Sequence, residues 1–283
     1  MFSGHGSRHC LPGNLSKSGT KCAPERVYPQ DRAFTATISS LVNIKLNPNP
    51  RIEQQPITDG RHCLIIDDFL LNPEDVLAYA QAHTAEFEMP ERAYSGLVLP
   101  LAEKPVRALH HFWRSRLSRI FSFARSDIND DWQLSLTTLQ PKDFTWIQRL
   151  CHSDPRTEDG RENFAALVYL FHNPELGGTA FYRWRDEKFW PSMVARQLHD
   201  PNAGLSIVQT RYPMFLDPPC YMTESNEVAE LLTKVPAKFN RMVCYPGDIP
   251  HSAYITDPSL LTDDCSTGRL TLNCFASVWP KPR

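Results

Sequence analysis

No stretch of this chain approaches the roughly 20 consecutive apolar residues that a membrane helix needs, so no helical span is expected. There is no field of one sign either. Thirty basic and 32 acidic side chains leave a formal charge of −2, and the lysines and arginines are scattered, which argues against a nucleic-acid partner. None of the eight cysteines (Cys10, Cys22, Cys63, Cys151, Cys220, Cys244, Cys265, Cys274) forms a Cys-x-x-Cys pair, and no apolar signal core opens the chain. Reduced thiols and a cytoplasmic location are the resulting expectation. Glycine is scarce beside proline, 12 against 24, which points to ordered turns between short strands rather than flexible linkers. Internal repeats are absent.

At 283 residues the chain is long enough for one large domain, or one domain with a small appendage. Residues 1–35 are rich in Gly, Ser, Pro and basic side chains without an apolar period, and read as a poorly ordered arm. Cys10 and Cys22 lie there with His5 and His9, at spacings that fit no familiar zinc cluster. Residues 36–130 read as a strand and helices that pack on a later core. RHCLIIDDFL (61–70) is the strand. Asn72-Pro73-Glu74-Asp75 then marks a helix start, with Asn72 as cap, proline at the first position and acids in the first turn. A second helix is predicted across 105–124, where Leu109, Phe112, Trp113, Leu117, Ile120 and Phe121 recur at helical spacing.

After Asp131 the texture becomes β. DWQLSLTTLQ, FTWIQRLCH, NFAALVYLF, GGTAFYRW, KFNRMVCYP, HSAYIT and GRLTLNCFASVW are strand-like runs separated by Pro, Gly and Asp. One helical interruption is predicted at ESNEVAELLTK (224–234), capped by Ser225 or Asn226. The fold class expected is α+β, mainly β, with residues 131–283 forming a barrel or sandwich of short strands.

Within that region, His152 and Asp154 are two residues apart. On a strand end, such positions project to the same face and can reach one metal ion. Cys151, one position away, points to the opposite face and reads as structural. A lone His-x-Asp is near chance level, but YPGDIPHSAYI (245–255) delivers His251 at the head of a later strand. Two imidazoles and a carboxylate on one face of an octahedron leave three positions open, the ligand pattern of non-haem Fe(II) oxygenases. The last strand alternates. Arg269, Thr271, Asn273 and Phe275 share one face, and Leu270, Leu272, Cys274 and Ala276 share the other. If the polar face turns inward, Arg269 is a buried guanidinium that needs an anion, and a dicarboxylate would pair with it in two bonds.

The order His152-x-Asp154, His251, Arg269 resembles the Fe(II)/2-oxoglutarate-dependent dioxygenases, whose fold is the double-stranded β-helix, a jelly-roll or cupin-like barrel. VYLFHNPELGGTAFY is similar to the prolyl-hydroxylase-like branch, and the same stretch is similar to an uncharacterised bacterial family of that superfamily. The likeness covers roughly residues 131–279, with a weaker one in IIDDFLLNPEDVLAYA. It implies Fe(II) on His152, Asp154 and His251, with 2-oxoglutarate on Arg269 and Tyr169 and walls from Thr271 and Asn273. Gly177 and Gly178 would shape the turn, and O2 would be the second cosubstrate. The Asp at 154 favours hydroxylation over halogenation, since the halogenases of this superfamily carry a small residue there. Tyr182, Arg183 and Trp184 are expected to flank the pocket mouth and meet the substrate, which is a free amino acid, a peptidyl side chain or a small natural product. Two departures stand out: eighteen positions separate His251 from Arg269, requiring a looped-out hairpin, and residues 186–236 form a long insertion. The alternative is a barrel of the same shape that binds a metal or small ligand without oxygen chemistry.

Overall fold

The structure, a computed structural model, describes residues 42–281 except 59, 91–93, 125–127, 155–156, 191 and 194–203. The expected N-terminal arm, with Cys10, Cys22, His5 and His9, lies outside the described residues. Two antiparallel sheets dominate. The larger has seven strands in the order β1-β2-β8-β5-β10-β4-β3. These are β1 (Arg51–Thr58), β2 (Arg61–Asp67), β3 (Gly96–Pro100), β4 (Asn129–Thr137), β5 (Glu162–Tyr169), β8 (Met242–Pro246) and β10 (Arg269–Val278). The smaller has the order β7-β6-β9, with β6 at Gly178–Trp184, β7 at Ala229–Val235 and β9 at His251–Tyr254. Among the described residues, no helix is long and apolar enough to cross a membrane.

Alternation along the strands sorts their side chains into layers. On β5, Phe164, Ala166 and Val168 face one way, with Leu270, Leu272, Cys274 and Ala276 of β10 and Leu134 and Leu136 of β4. Helices α1 (Pro73–Ala82) and α2 (Glu103–Phe112) cover that face through Val76, Ala80, Val106, Leu109 and Phe112. A π-helical turn at Trp113–Leu117 and a last turn at Ser118–Ile120 extend α2, as its apolar spacing predicts. Each fully buried Leu, Ile or Phe here contributes about 1.5–3 kcal/mol.

The opposite face of β5, with Ala165 and Tyr169, meets Val243 and Tyr245 of β8 and Phe181 and Val235 of the small sheet, so a second core lies between the sheets. This core is unusually polar. Ser135, Thr137, Thr179, Arg269 and Thr271 are all at most 5% exposed. A third, aromatic cluster lies on the outside of the small sheet, where Trp146, Tyr182, Trp184, Trp190, Tyr212 and Phe215 pack together.

Four sequence expectations need correction. Residues 229–235 form strand β7 instead of a helix, paired with β6 from Ala229↔Trp184 to Val235↔Thr179. The cap-type residues before it serve a turn: Asn226 Oδ1 accepts from the amides of Val228 and Ala229 at 2.9 and 3.0 Å. FTWIQRL holds a 3-10 turn at Trp146–Arg149 instead of a strand, opened by a reciprocal capping box between Thr145 and Gln148. Asn72 stands at the start of α1 but its side chain does not cap it; the amide joins Lys45 N and Asn43 O to the helix. Finally, β9 and β10 belong to different sheets, so residues 255–268 cross between them by a 3-10 turn at Pro258–Leu260 instead of closing a hairpin.

Candidate metal centre

His152 follows the Trp146–Arg149 turn, and an isolated antiparallel bridge fixes it to His251 at the head of β9. The Asp154 amide donates to Gly247 O at 2.7 Å, and the Gly247 amide donates to Asn163 O at 2.7 Å. Gly247 is required by space: a Cβ there would lie 2.9 Å from Asp154 Cβ and 3.1 Å from Asn163 O. Together these contacts bring one ligand atom each from His152, Asp154 and His251 within 4.8 Å of one another.

The electrostatics at this point ask for a cation. His251 Nδ1 lies 2.8 Å from Ile249 O, so Nδ1 carries the proton and donates. Burial, and then the neighbouring His152, push the His251 imidazole down to about 4, against the opposing pull of Asp154. At neutral pH its Nε2 therefore holds a lone pair. That atom sits 3.9 Å from Asp154 Oδ2, a buried oxygen with no hydrogen-bond partner. Two buried acceptors facing each other repel unless a positive charge sits between them. Two imidazole nitrogens and one carboxylate form a donor set suited to a divalent transition metal. His152 is exposed, which puts the centre at an open end of the inter-sheet space.

Deeper between the sheets, Arg269 is 5% exposed. Its Nε donates to Leu176 O at 3.0 Å, Nη1 to Thr137 Oγ1 at 3.2 Å and Nη2 to Gly178 O at 2.9 Å, while the Phe171 ring lies 5.8 Å from its central carbon. Among the described residues no carboxylate pairs with it, and one N–H on each Nη is left over. The Gly177–Gly178 turn presents these carbonyls. At φ +84 with Tyr254 O 1.7 Å from any added Cβ, position 177 admits only glycine.

Tyr169 pairs with Thr271 across β5 and β10 and is fully buried. Its hydroxyl lies 2.8 Å from Thr179 Oγ1; burial pushes the phenol up to about 12, with Arg269 opposing, so it stays a donor. Backbone bonds to Asn240 and Arg241 hold this end of β5. Thr271 Oγ1 donates to Ser135 O at 3.3 Å, and Asn273 Oδ1 is buried without a partner. The inward-facing alternative for the last strand is the one observed.

The expected mouth residues lie elsewhere. Tyr182 and Trp184 are buried in the outer aromatic cluster, with the Tyr182 hydroxyl donating to Met222 O at 2.7 Å. Arg183 is exposed and bonds Thr58 Oγ1 at 3.0 Å and Glu230 Oε2 at 3.5 Å. Along β6 the alternation is unbroken: Phe181 faces the inter-sheet core, while Ala180, Tyr182 and Trp184 share the outer face.

Two tyrosines escaped the sequence reading. Tyr245, on the inner face of β8, packs edge-on to His251 with centroids 4.7 Å apart and to Phe181 at 4.9 Å. Burial raises its phenol well above the usual range, and the Asp154 carboxylate and then Tyr169 add to it. Its position, one residue before the Pro246-Gly247-Asp248 turn, was the available signal. Tyr221, from the insertion, joins the inter-sheet core and donates to Leu139 O at 2.8 Å. Nothing in its sequence neighbourhood marks it.

Known structures give loose likenesses. EvdO2 from Micromonospora carbonacea var. aurantiaca, complexed with 2-oxoglutarate, is 12% identical, over 83% of this chain and 98% of that one, with a TM-score of 0.39. HygX from Streptomyces hygroscopicus, with nickel and 2-oxoglutarate bound, is 15% identical over 79% and 84%, at 0.41. A Pseudomonas putida prolyl-4-hydroxylase is 13% identical over 79% and 95%, at 0.36. These scores are too low to transfer chemistry. No curated protein matches the sequence. Residues 48–276 match the family of unknown function DUF6445, and because that match spans most of the chain, the protein belongs to this family.

Proposed function

We propose that the protein is a non-haem Fe(II)/2-oxoglutarate-dependent dioxygenase that hydroxylates a C–H bond of an amino acid, peptide or small natural product. In this reading its two sheets form a double-stranded β-helix. The observation that carries it is the pairing of two features in one inter-sheet space: three converging ligand atoms at the open end, and deeper in a buried guanidinium with no carboxylate partner among the described residues.

His152, Asp154 and His251 are the residues that would hold Fe(II). Bound there with O2 and 2-oxoglutarate, the metal supplies oxidative decarboxylation and C–H oxidation. The chain's own groups prepare the place. His251 presents a neutral Nε2 because Ile249 O fixes the tautomer and burial disfavours the imidazolium. Asp154 is held by its amide on Gly247 O. Arg269, with two N–H bonds unspent, binds the far carboxylate of 2-oxoglutarate, and Tyr169 donates to the same group. Thr271 and the orphaned Asn273 Oδ1 line the wall beside it. Val243, Phe181 and Tyr245 keep water from the space between.

The test is 2-oxoglutarate turnover without added substrate, followed as succinate release with Fe(II) and O2 supplied. Succinate from the intact chain and none from His152→Ala is expected. Equal release from that variant sinks the assignment.

A further inference from the structure

Strand β2 leaves the large sheet early. It pairs with β8 at Leu64↔Cys244, Ile65↔Val243 and Ile66↔Met242 and no further, while β1–β2 pairing runs on to Arg61 and β5–β8 pairing to Pro246. The next pair in register on the same face would set His62 opposite Pro246, which has no N–H to give, and the ladder stops there. The two strands splay into a fork. A cavity of about 310 Å³ fills it, lined by Arg61 and His62 on one prong and Pro246 and Asp248 on the other. Glu162, Asn163 and Phe164 of β5 form its back, and Ile120 and Phe121 after α2 its side. Phe164, Ile120 and Phe121 belong to the helix-covered side of the sheet, and none of His152, Asp154 and His251 lines the cavity.

The cavity walls are built for a polar ligand with an apolar part. The His62 ring stacks on Phe121, centroids 5.4 Å apart and 11° from parallel, which fixes its orientation. Its Nε2 is buried and makes no hydrogen bond, so a polar nitrogen is left unsatisfied at the wall. Arg61 and Asp248 form an ion pair across the fork through Asp248 Oδ1 only, and both side chains are substantially exposed, at 39% and 49%. Such a pair contributes about 0–1 kcal/mol, so exchanging each partner for a ligand's opposite charge costs little. A molecule carrying one carboxylate and one ammonium makes that exchange without leaving a charge unmatched. Phe121, Phe164 and Ile120 then offer an apolar surface for its side chain.

We propose that this fork is a second small-molecule site, which takes a free α-amino acid, its carboxylate on Arg61, its ammonium on Asp248 and a hydrogen bond at His62 Nε2. The site shares no side chain with the three proposed metal ligands, and its test leaves the proposed oxygenase activity aside. The full chain, with a chelator present, is titrated with the twenty standard L-amino acids and followed by saturation-transfer NMR and calorimetry. Binding of at least one member at millimolar concentration or below is expected. The N-acetyl and carboxamide derivatives of that member each bind about tenfold or more weakly. Asp248→Asn and His62→Phe weaken the same ligand by a similar factor while keeping the parent's circular dichroism. No binding by any member overturns the proposal, and so does binding that survives both derivatives or both variants. The derivatives are compared on the unaltered chain, so that arm stands even where a variant misfolds.

Discussion

His152 and His251 exchange two backbone hydrogen bonds, His152 N to His251 O at 2.9 Å and His251 N to His152 O at 2.8 Å. Residues 99 positions apart are thus locked in register by main chain, and their rings sit 4.3 Å apart, centroid to centroid. The ligand positions do not depend on the side chains they carry.

Removing the His152 imidazole should therefore spare the fold and abolish the metal site. His152→Ala, at an exposed position, is expected to shift stability by no more than about 0.5 kcal/mol in the metal-free state. Its Fe(II) affinity, measured anaerobically by calorimetry, falls by at least about 100-fold.

Arg269 needs its planar fork as well as its charge. It uses Nε, Nη1 and Nη2 on Leu176, Thr137 and Gly178 and keeps N–H bonds for an anion. Arg269→Lys retains the charge and loses the geometry, so 2-oxoglutarate affinity should fall by about 10- to 100-fold while Fe(II) affinity is unchanged. A parallel loss of both would assign Arg269 to folding alone.

Gly247 carries Asp154 on its carbonyl and leaves no room for a methyl group. Gly247→Ala pushes on Asp154 Cβ and is expected to lower Fe(II) affinity by about tenfold. Thermal melts with and without Fe(II) give the check: the stabilisation by metal shrinks more than the metal-free melting temperature does.

Acid stability depends on a different group. Asp67, 8% exposed, accepts from Arg241 Nε at 2.6 Å and from Lys238 Nζ at 3.0 Å. The Arg241 hydrogen bond, reinforced by Lys238, holds its carboxyl down to about 2. A carboxyl depressed in the folded state adds stability above its unfolded value near 4 and loses it as pH falls towards 2. The contribution is on the order of 2 kcal/mol. Urea melts from pH 6 to pH 2 should show that loss, and Asp67→Asn should remove this part of the slope.

Sequence patterning carried the strands with clean alternation, β4, β5 and β10, because one face of each packs on the helices and the other faces the polar interior. The order of His152, Asp154, His251 and Arg269 is a local fact, and the first three converge as that order suggests, although His152 and Asp154 lie on an isolated bridge and a loop instead of a strand end. It failed where tertiary pairing overrides local preference. Glu230, Leu231 and Leu232 favour a helix, yet pairing with β6 draws them into β7. The capping box at Thr145–Gln148 was readable, but the apolar run around it imitated a strand. Tyr182 and Trp184 were misplaced because β6 turns Phe181 inward, and alternation then sends both to the outer cluster with Ala180. Tyr221 reaches the inter-sheet core only through the path of the insertion, which no pattern encodes.

The most direct test of the metal and cosubstrate assignment is an anaerobic titration of 2-oxoglutarate into the Fe(II)-loaded chain, followed by visible absorbance. A charge-transfer band that saturates at one equivalent, is absent in His152→Ala and needs far more 2-oxoglutarate in Arg269→Lys is the expected result. A chain that takes up Fe(II) yet shows no band at any 2-oxoglutarate concentration contradicts it.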